Sequence, residues 1–323
     1  MQPPFLCFMN CLFIYNPVSG KGKINKKTDY ITATLKKKFD EVDVYATKCA
    51  GDMSVKAKEA CGKYDCVVFY GGDGSFNEIV QGIAECETRP VLGYLPGGTV
   101  NDIAHSLKIP VKLKKALKNV TEGVVDTYDL IKINDKYAFY VVCAGAFTGC
   151  SYMAEQSEKK KYGKVAYAFE VLKNELKLKD FNVTLDFGDN HIETNCEFLM
   201  ALNSKHVASR YVYRQADLQD GKFDLFFIKQ VKNPKGVHKL NAFFKVINYF
   251  VCGVKVCAHR FKRGWKSDYE HYCVDKVKLT VPDNVRWNLD GEKGMCGEVN
   301  ISVLQRHVSV IVPKDKKKNK KKK

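Results

Sequence analysis

The chain has 323 residues, 45% of them hydrophobic, and carries a formal net charge of +17. This length exceeds what one simple hydrophobic core supports, so we expect two domains. The hydrophobic content is that of a globular protein, and neither a membrane-spanning stretch nor a secretory signal is evident. Thirteen cysteines without a Cys-x-x-Cys pair are expected to be small buried hydrophobic residues, which argues against a zinc site.

The first 128 residues are predicted to alternate strands with helices. Such alternation indicates a doubly wound parallel sheet, whose ligands bind beyond the carboxyl ends of the strands. In chain order, the predicted elements are strand 12–15, helix 26–39, strand 42–45, a helix capped by Asp52, strand 66–70, a helix from Phe76, strand 91–95 and a helix carrying Asn101 and Asp102.

From residue 129 the pattern changes to strands, which predicts a β-rich second domain over 129–300. Residues 301–313 are expected to return to the first domain, 1–128. The predicted elements here are strands 137–142, 183–187, 198–202, 223–228 and 276–281, a strand pair over 301–312, and helices 164–178 and 235–250. An apolar stripe over 240–254, flanked by basic residues, fits either an interfacial helix or core packing.

Residues 314–323 hold eight lysines and one aspartate. A basic chain with a polybasic segment suits a polyanionic partner, either an anionic membrane surface or nucleic acid. The alternative is a disordered, solvated tail without a partner.

Two glycine-rich turns follow the predicted strands 66–70 and 91–95. They read Gly-Gly-Asp-Gly-Ser at 71–75 and Pro-Gly-Gly-Thr at 96–99. Such turns present bare backbone N–H groups at a helix N-terminus, where the helix dipole favours a phosphate. Asp73 would repel that phosphate unless a cation or a proton transfer is involved, so the pair predicts metal-dependent phosphoryl transfer. The alternative is a tight turn with a Ser75–Glu78 capping box.

A third loop, 16–23, follows the first strand and combines glycines with lysines. We expect it to contact a nucleotide, although alone it could be an ordinary basic loop. Neither glycine-rich turn matches the Walker A or the Gly-x-Gly-x-x-Gly pattern, which excludes the common P-loop and Rossmann assignments.

Four motifs occur in one order: Asn-Pro-Val-Ser-Gly at 16–20, Gly-Gly-Asp-Gly-Ser-Phe-Asn-Glu at 71–78, Pro-Gly-Gly-Thr-Val-Asn-Asp at 96–102, and Asp-Gly-Glu at 290–292. Together they resemble the diacylglycerol kinase catalytic family, in particular its soluble bacterial lipid kinases, and sphingosine and ceramide kinases share this core. The resemblance extends from Asn16 to about Val312. It implies an α/β ATP-binding domain followed by a β-sandwich domain, with the active site in the cleft between them.

The resemblance also implies a set of site residues, with ATP and magnesium as cofactors. Glu292 matches the proton acceptor, and Asp73, Asp102, Asp129 and Asp290 match acidic positions of the family cleft. The segment 216–224 resembles the family's magnesium-binding "DGxFD" stretch, with Asp220, Asp217 and Lys222 as ligands, although a plain β-turn fits it too. A hairpin turn likewise fits 290–292. The implied ATP contacts are Asn16, Pro17, Val18, Ser19, Gly20, Thr47, Gly72, Asp73, Gly74, Ser75, Phe76, Asn77, Glu78 and Thr99.

The favoured function is transfer of the ATP γ-phosphoryl group to diacylglycerol, giving phosphatidate. The alternatives are the same chemistry on a sphingoid base, phosphatidylglycerol or a polyprenol, and a non-catalytic basic protein that binds nucleotide or nucleic acid. The expected partner is a lipid at an anionic membrane surface, with nucleic acid less favoured. The expected location is cytoplasmic, at the inner face of the membrane, and the sequence leaves the oligomeric state open, a homodimer included.

Overall fold

The computed structural model describes residues 10–145, 180–207, 210–229 and 269–314. The chain divides into two compact units, one holding residues up to Tyr128 and from Arg306 onward, the other Asp129–Gln305. Four of the segments discussed above lie outside the described residues: the predicted helices 164–178 and 235–250, the apolar stripe 240–254, and residues 315–323. Within the described part, no helix is long and apolar enough to cross a bilayer.

The first unit is built on a parallel sheet. Its strands are β1 (Asn10–Tyr15), β2 (Glu41–Ala46), β3 (Cys66–Gly71) and β4 (Val91–Pro96). They lie in the order β2-β1-β3-β4 and are all parallel. The end of a much later strand, Val299–Val312, adds to β4 in parallel at Val310 and Leu92.

Helices cover both faces of this sheet, as a doubly wound fold requires. They are α1 (Thr28–Leu35), α2 (Asp52–Ala60), α3 (Asp73–Ile83), α4 (Asp102–Ser106) and α5 (Leu113–Glu122), with 3-10 turns at Ser19–Gly22 and Asn25–Lys27. Leu35 of α1 and Val120 of α5 share one core with Phe13 and Val68 of the sheet. On the opposite face, Phe69 packs edge-on against Phe76 of α3.

Several predicted helix ends were wrong. The helix predicted over 26–39 is a 3-10 turn followed by the shorter α1. Asp52 does not cap α2, because Gly51 occupies the cap position with φ of 80° and the Asp52 carboxylate instead accepts the Lys48 N–H at 2.7 Å. The helix predicted from Phe76 begins at Asp73, so the glycine-rich turn is its first turn.

The Ser75–Glu78 capping box is also absent. The N-cap of α3 is Gly72, which has no side chain to accept a hydrogen bond from the first turn. Ser75 already lies inside the helix, so its hydroxyl is not at the capping position.

The second unit is β-rich, as predicted, and its strands pair in antiparallel fashion. Its described strands are the second part of β5 (Val124–Ile133), β6 (Lys136–Ala138), β7 (Val141–Gly145), β8 (Phe181–Phe187), β9 (Asn190–Leu202), β10 (His206–Val207), β11 (Arg210–Tyr211), β12 (Phe223–Lys229), β13 (Tyr269–Val274), β14 (Lys276–Thr280), β15 (Arg286–Leu289), β16 (Glu292–Cys296) and the first part of β17 (Val299–Val312). The predicted strand 137–142 is split between β6 and β7. The strand pair predicted over 301–312 is one continuous strand.

The core of the second unit is aromatic and aliphatic. Trp287 and Phe227 are fully buried in it, and Phe223 is 1% exposed. β9 is central, because β7, β8 and β12 all pair with it in antiparallel fashion. The mixed fold class, a parallel α/β part with a β-rich part, is therefore confirmed.

The cysteines are less buried than expected. All nine that the structure describes are free, and only Cys11, Cys66 and Cys196 are buried. The expectation of small buried hydrophobic residues therefore holds for a minority of the described ones.

Candidate active site

Strand register brings the predicted nucleotide-binding loops to one edge of the parallel sheet. Tyr15 pairs with both Ala46 and Tyr70, and Gly71 pairs with Pro96. The four strands therefore end side by side, and the loops beginning at 16, 47, 72 and 97 leave the sheet at its carboxyl edge. That edge is where doubly wound sheets bind ligands.

The two glycine-rich turns touch each other, backbone against backbone. The Gly97 N–H donates to the Gly71 carbonyl at 2.7 Å. A Cβ on Gly72 would lie 3.1 Å from the Cα of Gly98, and one on Gly98 would lie 2.6 Å from the Cα of Gly72. Only glycine fits such an approach without displacing the partner turn. The glycines thus allow the two turns to pack directly against each other.

Asp73 ties these turns together. Its carboxylate accepts the backbone N–H groups of Asp102 and Ile103, each at 3.0 Å, at the first turn of α4. Burial raises the pKa of the Asp73 carboxyl, and these hydrogen bonds oppose that rise. The charge of Asp73 therefore does not by itself require a cation or a proton transfer, because a helix N-terminus also stabilises a carboxylate.

Asn101 shapes the second turn, and the sequence reasoning did not select it as a site residue. It has a left-handed backbone, with φ of 57°, just before α4. Its side-chain oxygen accepts the Gly98 N–H at 3.0 Å, and its side-chain nitrogen donates to the Gly98 carbonyl at 2.8 Å. The signal for it was its residue type, since asparagine tolerates left-handed backbone better than most residues.

The remaining predicted ATP contacts differ in what their side chains do. Asn16 forms a local turn by accepting the Val18 N–H at 3.0 Å, and Thr47 is buried beside the end of β1. Thr99 is exposed at the tip of its turn. Phe76 is a core residue, fully buried against Phe69 and Tyr94.

Glu78 is occupied within the protein. Its half-buried carboxylate accepts the backbone N–H groups of Gly51 and Met53 at the start of α2. Burial raises the pKa of the Glu78 carboxyl, and the two hydrogen bonds oppose that rise. Glu78 therefore supplies α2 with the cap that was predicted for Asp52.

In the second unit, Asp129 holds the turn predicted to bind magnesium. Asp129 is completely buried, its carboxylate accepts the Gly221 N–H at 2.7 Å, and its own N–H donates to the Leu218 carbonyl at 2.8 Å. The two carboxylates on the turn, Asp217 and Asp220, are on exposed residues.

The turn itself has the local geometry of two Asx turns. Asp217 accepts the Gln219 N–H at 3.1 Å, and Asp220 accepts the Lys222 N–H at 3.0 Å. The groups of this turn that could bind a metal ion are carboxylate and carbonyl oxygens, which are the ligands that magnesium prefers. No group of three or more His, Cys, Asp or Glu side chains in the described ranges is arranged to hold a metal, so a magnesium site there would depend on backbone carbonyls and water.

The Asp-Gly-Glu motif is a hairpin turn between β15 and β16. Asp290 and Gly291 have φ of 52° and 95°, and Leu289 pairs with Glu292 across the turn. Two left-handed residues are what a tight two-residue hairpin needs. Glu292 is exposed at the start of β16.

Asp290 is almost fully buried, at 3% exposure, and anchors that hairpin. Its carboxylate accepts three consecutive backbone N–H groups, from Phe139 at 2.6 Å, Tyr140 at 2.9 Å and Val141 at 3.0 Å. A carboxylate with three such donors is strongly stabilised in its charged form.

Asn203 links the two acidic segments of the second unit, and no sequence motif selects it as a site residue. Its side-chain nitrogen donates to the carbonyls of Asp129 at 3.1 Å and of Phe139 at 3.3 Å, and its N–H donates to Tyr140 at 2.9 Å. The residue is 1% exposed. Through it, Asp129 is joined to the backbone that holds Asp290.

Comparison with known proteins identifies the first part of the chain. Residues 10–133 match the family model described as the diacylglycerol kinase catalytic domain. Over these residues the chain is similar to a diacylglycerol kinase catalytic domain. This confirms the resemblance drawn from the motifs and the enzyme class, a lipid kinase, for which ATP is the expected phosphoryl donor.

Relatives of this lipid kinase extend over nearly the whole chain. It is 29% identical over 309 residues to a diacylglycerol kinase of Bacillus subtilis, covering 94% of this chain and 96% of the relative. It is 28% identical over 307 residues to one of Staphylococcus aureus, covering 94% and 92%. The crystal structure of a diacylglycerol kinase from Bacillus anthracis shares the fold, with a TM-score of 0.73 at 22% identity over 94% of this chain and 97% of that one.

Proposed function

We propose that this lipid kinase transfers the γ-phosphoryl group of ATP to the hydroxyl of diacylglycerol, giving phosphatidate, in a magnesium-dependent reaction. The observation that carries the proposal is the close pair of glycine-rich turns, joined at Gly72 and Gly98 and fixed by Asp73. Backbone N–H groups without a Cβ in the way suit phosphate oxygens. The relatives named diacylglycerol kinase support the choice of acceptor.

In this proposal the nucleotide lies at the carboxyl edge of the parallel sheet. The backbone of 72–75 and of Thr99 contacts the phosphates, because the N–H groups of Gly97 and Gly98 already donate to Gly71 and Asn101. The loop 16–20 with Thr47 completes the nucleotide site. Asp102 is almost fully buried as the first residue of α4, which directly follows the second turn. Glu78 and Phe76 contribute by holding α2 and the core, since their side chains are already engaged.

Magnesium would be held by the Asp220 carboxylate with the backbone carbonyls of Asp217 and Lys222. One carboxylate, carbonyls and several waters form an oxygen ligand set of the kind that magnesium accepts. The bound ion supplies neutralisation of the charge that builds up on the transferring phosphoryl group. Asp129, through Gly221, keeps the turn in place.

Glu292 is proposed as the base. As the lipid oxygen forms its bond to the γ-phosphorus, the bond from that phosphorus to the bridging oxygen of ADP breaks. The hydroxyl proton passes to the Glu292 carboxylate. Asp290 acts as a positioning residue, because its three backbone hydrogen bonds fix the hairpin that carries Glu292.

The proposed setting is the cytoplasmic face of an anionic membrane, where the lipid substrate resides. The test is incubation with γ-labelled ATP and a panel of lipids in mixed micelles: diacylglycerol, a sphingoid base, phosphatidylglycerol and a polyprenol. Label in phosphatidate, dependent on magnesium and lost in Glu292→Gln, is the expected result. Label mainly in another lipid would reassign the acceptor, and no label in any lipid would refute the proposal.

A further inference from the structure

Two cysteines of the first unit lie at neighbouring helix ends. Cys61 directly follows α2, and Cys86 comes three residues after the last residue of α3. Both residues are partly exposed, and neither is in a disulfide. Their thiols are close enough to share a hydrogen bond, although 24 residues separate them in the sequence. The packing of α2 against α3 therefore brings the two thiols together.

The contact between the two helices fixes this pair. Gly82 of α3 packs so closely on α2 that a Cβ in its place would lie 3.1 Å from the Cβ of Ala57. The Cys61 Sγ lies 3.5 Å from the Ala57 carbonyl oxygen, and the Cys86 Sγ lies 3.8 Å from the Gly82 carbonyl oxygen. Each thiol is thus directed to the residue at which the helices touch, which holds the two sulfurs side by side.

The two thiols are not equivalent. Burial and the neighbouring Cys86 thiol raise the pKa of Cys61 to about 12, so Cys61 keeps its proton. The guanidinium group of Arg89 is fixed beside the pair, because one of its nitrogens donates to the Cys86 carbonyl at 2.6 Å. A positive charge next to a thiol favours the thiolate, which is the nucleophilic form. Cys86 is therefore assigned the first attack on an oxidant.

We propose that Cys61 and Cys86 are a site of reversible disulfide formation, with hydrogen peroxide as the oxidant. The Cys86 thiolate attacks one peroxide oxygen, the O–O bond breaks, and the departing hydroxide takes up a proton, which leaves a sulfenic acid on Cys86. The Cys61 sulfur then attacks the Cys86 sulfur, and the hydroxyl group leaves with the Cys61 proton as water. Two thiols lose two electrons in total, and hydrogen peroxide is reduced to two waters.

A second cysteine pair provides an internal contrast. Cys11 and Cys66 lie directly opposite each other on β1 and β3, and their thiols are also close enough to share a hydrogen bond. Both are fully buried, at 0% exposure, so an oxidant in solvent does not reach them in the folded protein. Oxidation is therefore expected between Cys61 and Cys86 and not between Cys11 and Cys66.

The proposed disulfide joins the end of α2 to the segment that holds β17. Within that segment the Ala84 carbonyl hydrogen-bonds to the His307 imidazole at 2.7 Å, and Arg89 donates to the His307 carbonyl at 3.0 Å. A cross-link restricts the unfolded chain more than the folded one. The oxidised first unit is therefore expected to be more stable than the reduced one.

The experiment treats the full, folded chain with hydrogen peroxide, blocks the remaining thiols and maps the disulfides by mass spectrometry. Digestion after glutamate separates Cys86 from Cys66, because Glu78 and Glu85 lie between them. Thermal melting is recorded before treatment, after it, and after reduction with dithiothreitol.

The variants are Cys61→Ser and Cys86→Ser. The matched control is the double replacement Cys273→Ser with Cys296→Ser, which removes two exposed cysteines of the second unit. In Cys61→Ser the sulfenic acid on Cys86 has no partner thiol, so dimedone is expected to label Cys86.

The expected result is a peptide pair linked through Cys61 and Cys86, two hydrogens lighter than its separate parts and released by dithiothreitol, in the wild type and in the control. Either single variant is expected to abolish this link. Oxidation is expected to raise the melting temperature by several degrees in the wild type and not in Cys61→Ser. Absence of the link, its formation only in urea, or equal oxidation of Cys11 and Cys66 would overturn the inference. The readout does not involve kinase activity, so it is independent of the proposed function.

Discussion

At the scale of single residues, most acidic side chains of the candidate site are bonded to backbone. Asp73 accepts from α4, Asp129 from Gly221 and Asp290 from 139–141. Glu292 is the exposed one at the Asp-Gly-Glu turn. This division separates the carboxylates that shape the site from the one proposed to take the proton.

Asp73→Ala is expected to reduce turnover strongly and to destabilise the protein by about 1–3 kcal/mol, because the N–H groups of Asp102 and Ile103 lose their acceptor in a buried setting. Denaturant unfolding and steady-state kinetics on the same preparation measure both effects. Asp135→Ala, an exposed hairpin residue, serves as control. Unchanged stability would contradict the capping of α4 by Asp73.

Glu292→Gln is expected to lower kcat with little change in ATP affinity or thermal stability, because an amide keeps the shape of the carboxylate but does not accept the proton. Asp290→Asn is the contrasting variant. It is expected to lose stability, since an amide nitrogen would face backbone donors in place of an oxygen. If ATP affinity falls in step with kcat in Glu292→Gln, the residue belongs to the nucleotide site.

At the scale of elements, the strand–turn–helix units were predictable and their long-range contacts were not. Alternation of apolar strands with glycine turns located β3 and β4 to within one residue, because both signals are local. The predicted start of α3 was three residues too late, because Gly72 and Asp73 were assigned to the turn, whereas Gly72 is the N-cap of the helix. The role of Asn203 could not be predicted from the sequence, because its partners Asp129 and Phe139 are 74 and 64 residues away.

The turn from Asp217 to Lys222 gives a prediction at this scale. Asp220→Asn is expected to raise the magnesium concentration that gives half-maximal activity severalfold, because a neutral amide is a weaker magnesium ligand than a carboxylate. Asp189→Asn, in the turn between β8 and β9 of the same unit, is the control. If the magnesium concentration for half-maximal activity is unchanged in Asp220→Asn, residues 217–222 form only a turn.

At the scale of the whole molecule, the first unit is completed by the far end of the sequence. His307 on β17 hydrogen-bonds to the Ala84 carbonyl at 2.7 Å, and Arg89 donates to the His307 carbonyl at 3.0 Å. Val310 pairs with Leu92. The match to the catalytic-domain family, 10–133, therefore omits a strand that this unit uses.

The stability that the first unit gains from its contacts with β17 is expected to decrease at acid pH. Burial lowers the pKa of the His307 imidazole, and the charge of Arg89 lowers it further. Below the unfolded value of about 6.5 the unfolded chain binds the proton first, so stability falls as pH decreases through that range and levels off below the folded pKa. Urea unfolding at several pH values should show this loss, and His307→Gln should reduce it. An equal slope in the variant would assign the effect to other groups.

The same closure sets the order in which the enzyme matures on the ribosome. Residues up to Tyr128 emerge first, yet their sheet lacks the part of β17 that pairs with β4 until 306–312 have been translated. The β-rich unit, 129–305, is already complete when the last strand emerges. Nascent chains halted before residue 306 therefore carry an unfinished parallel sheet with an open edge beside β4, and such edges are prone to pair with other chains. Ribosomal stalling on the lysine codons that follow would, by contrast, occur after that edge-covering strand has been made.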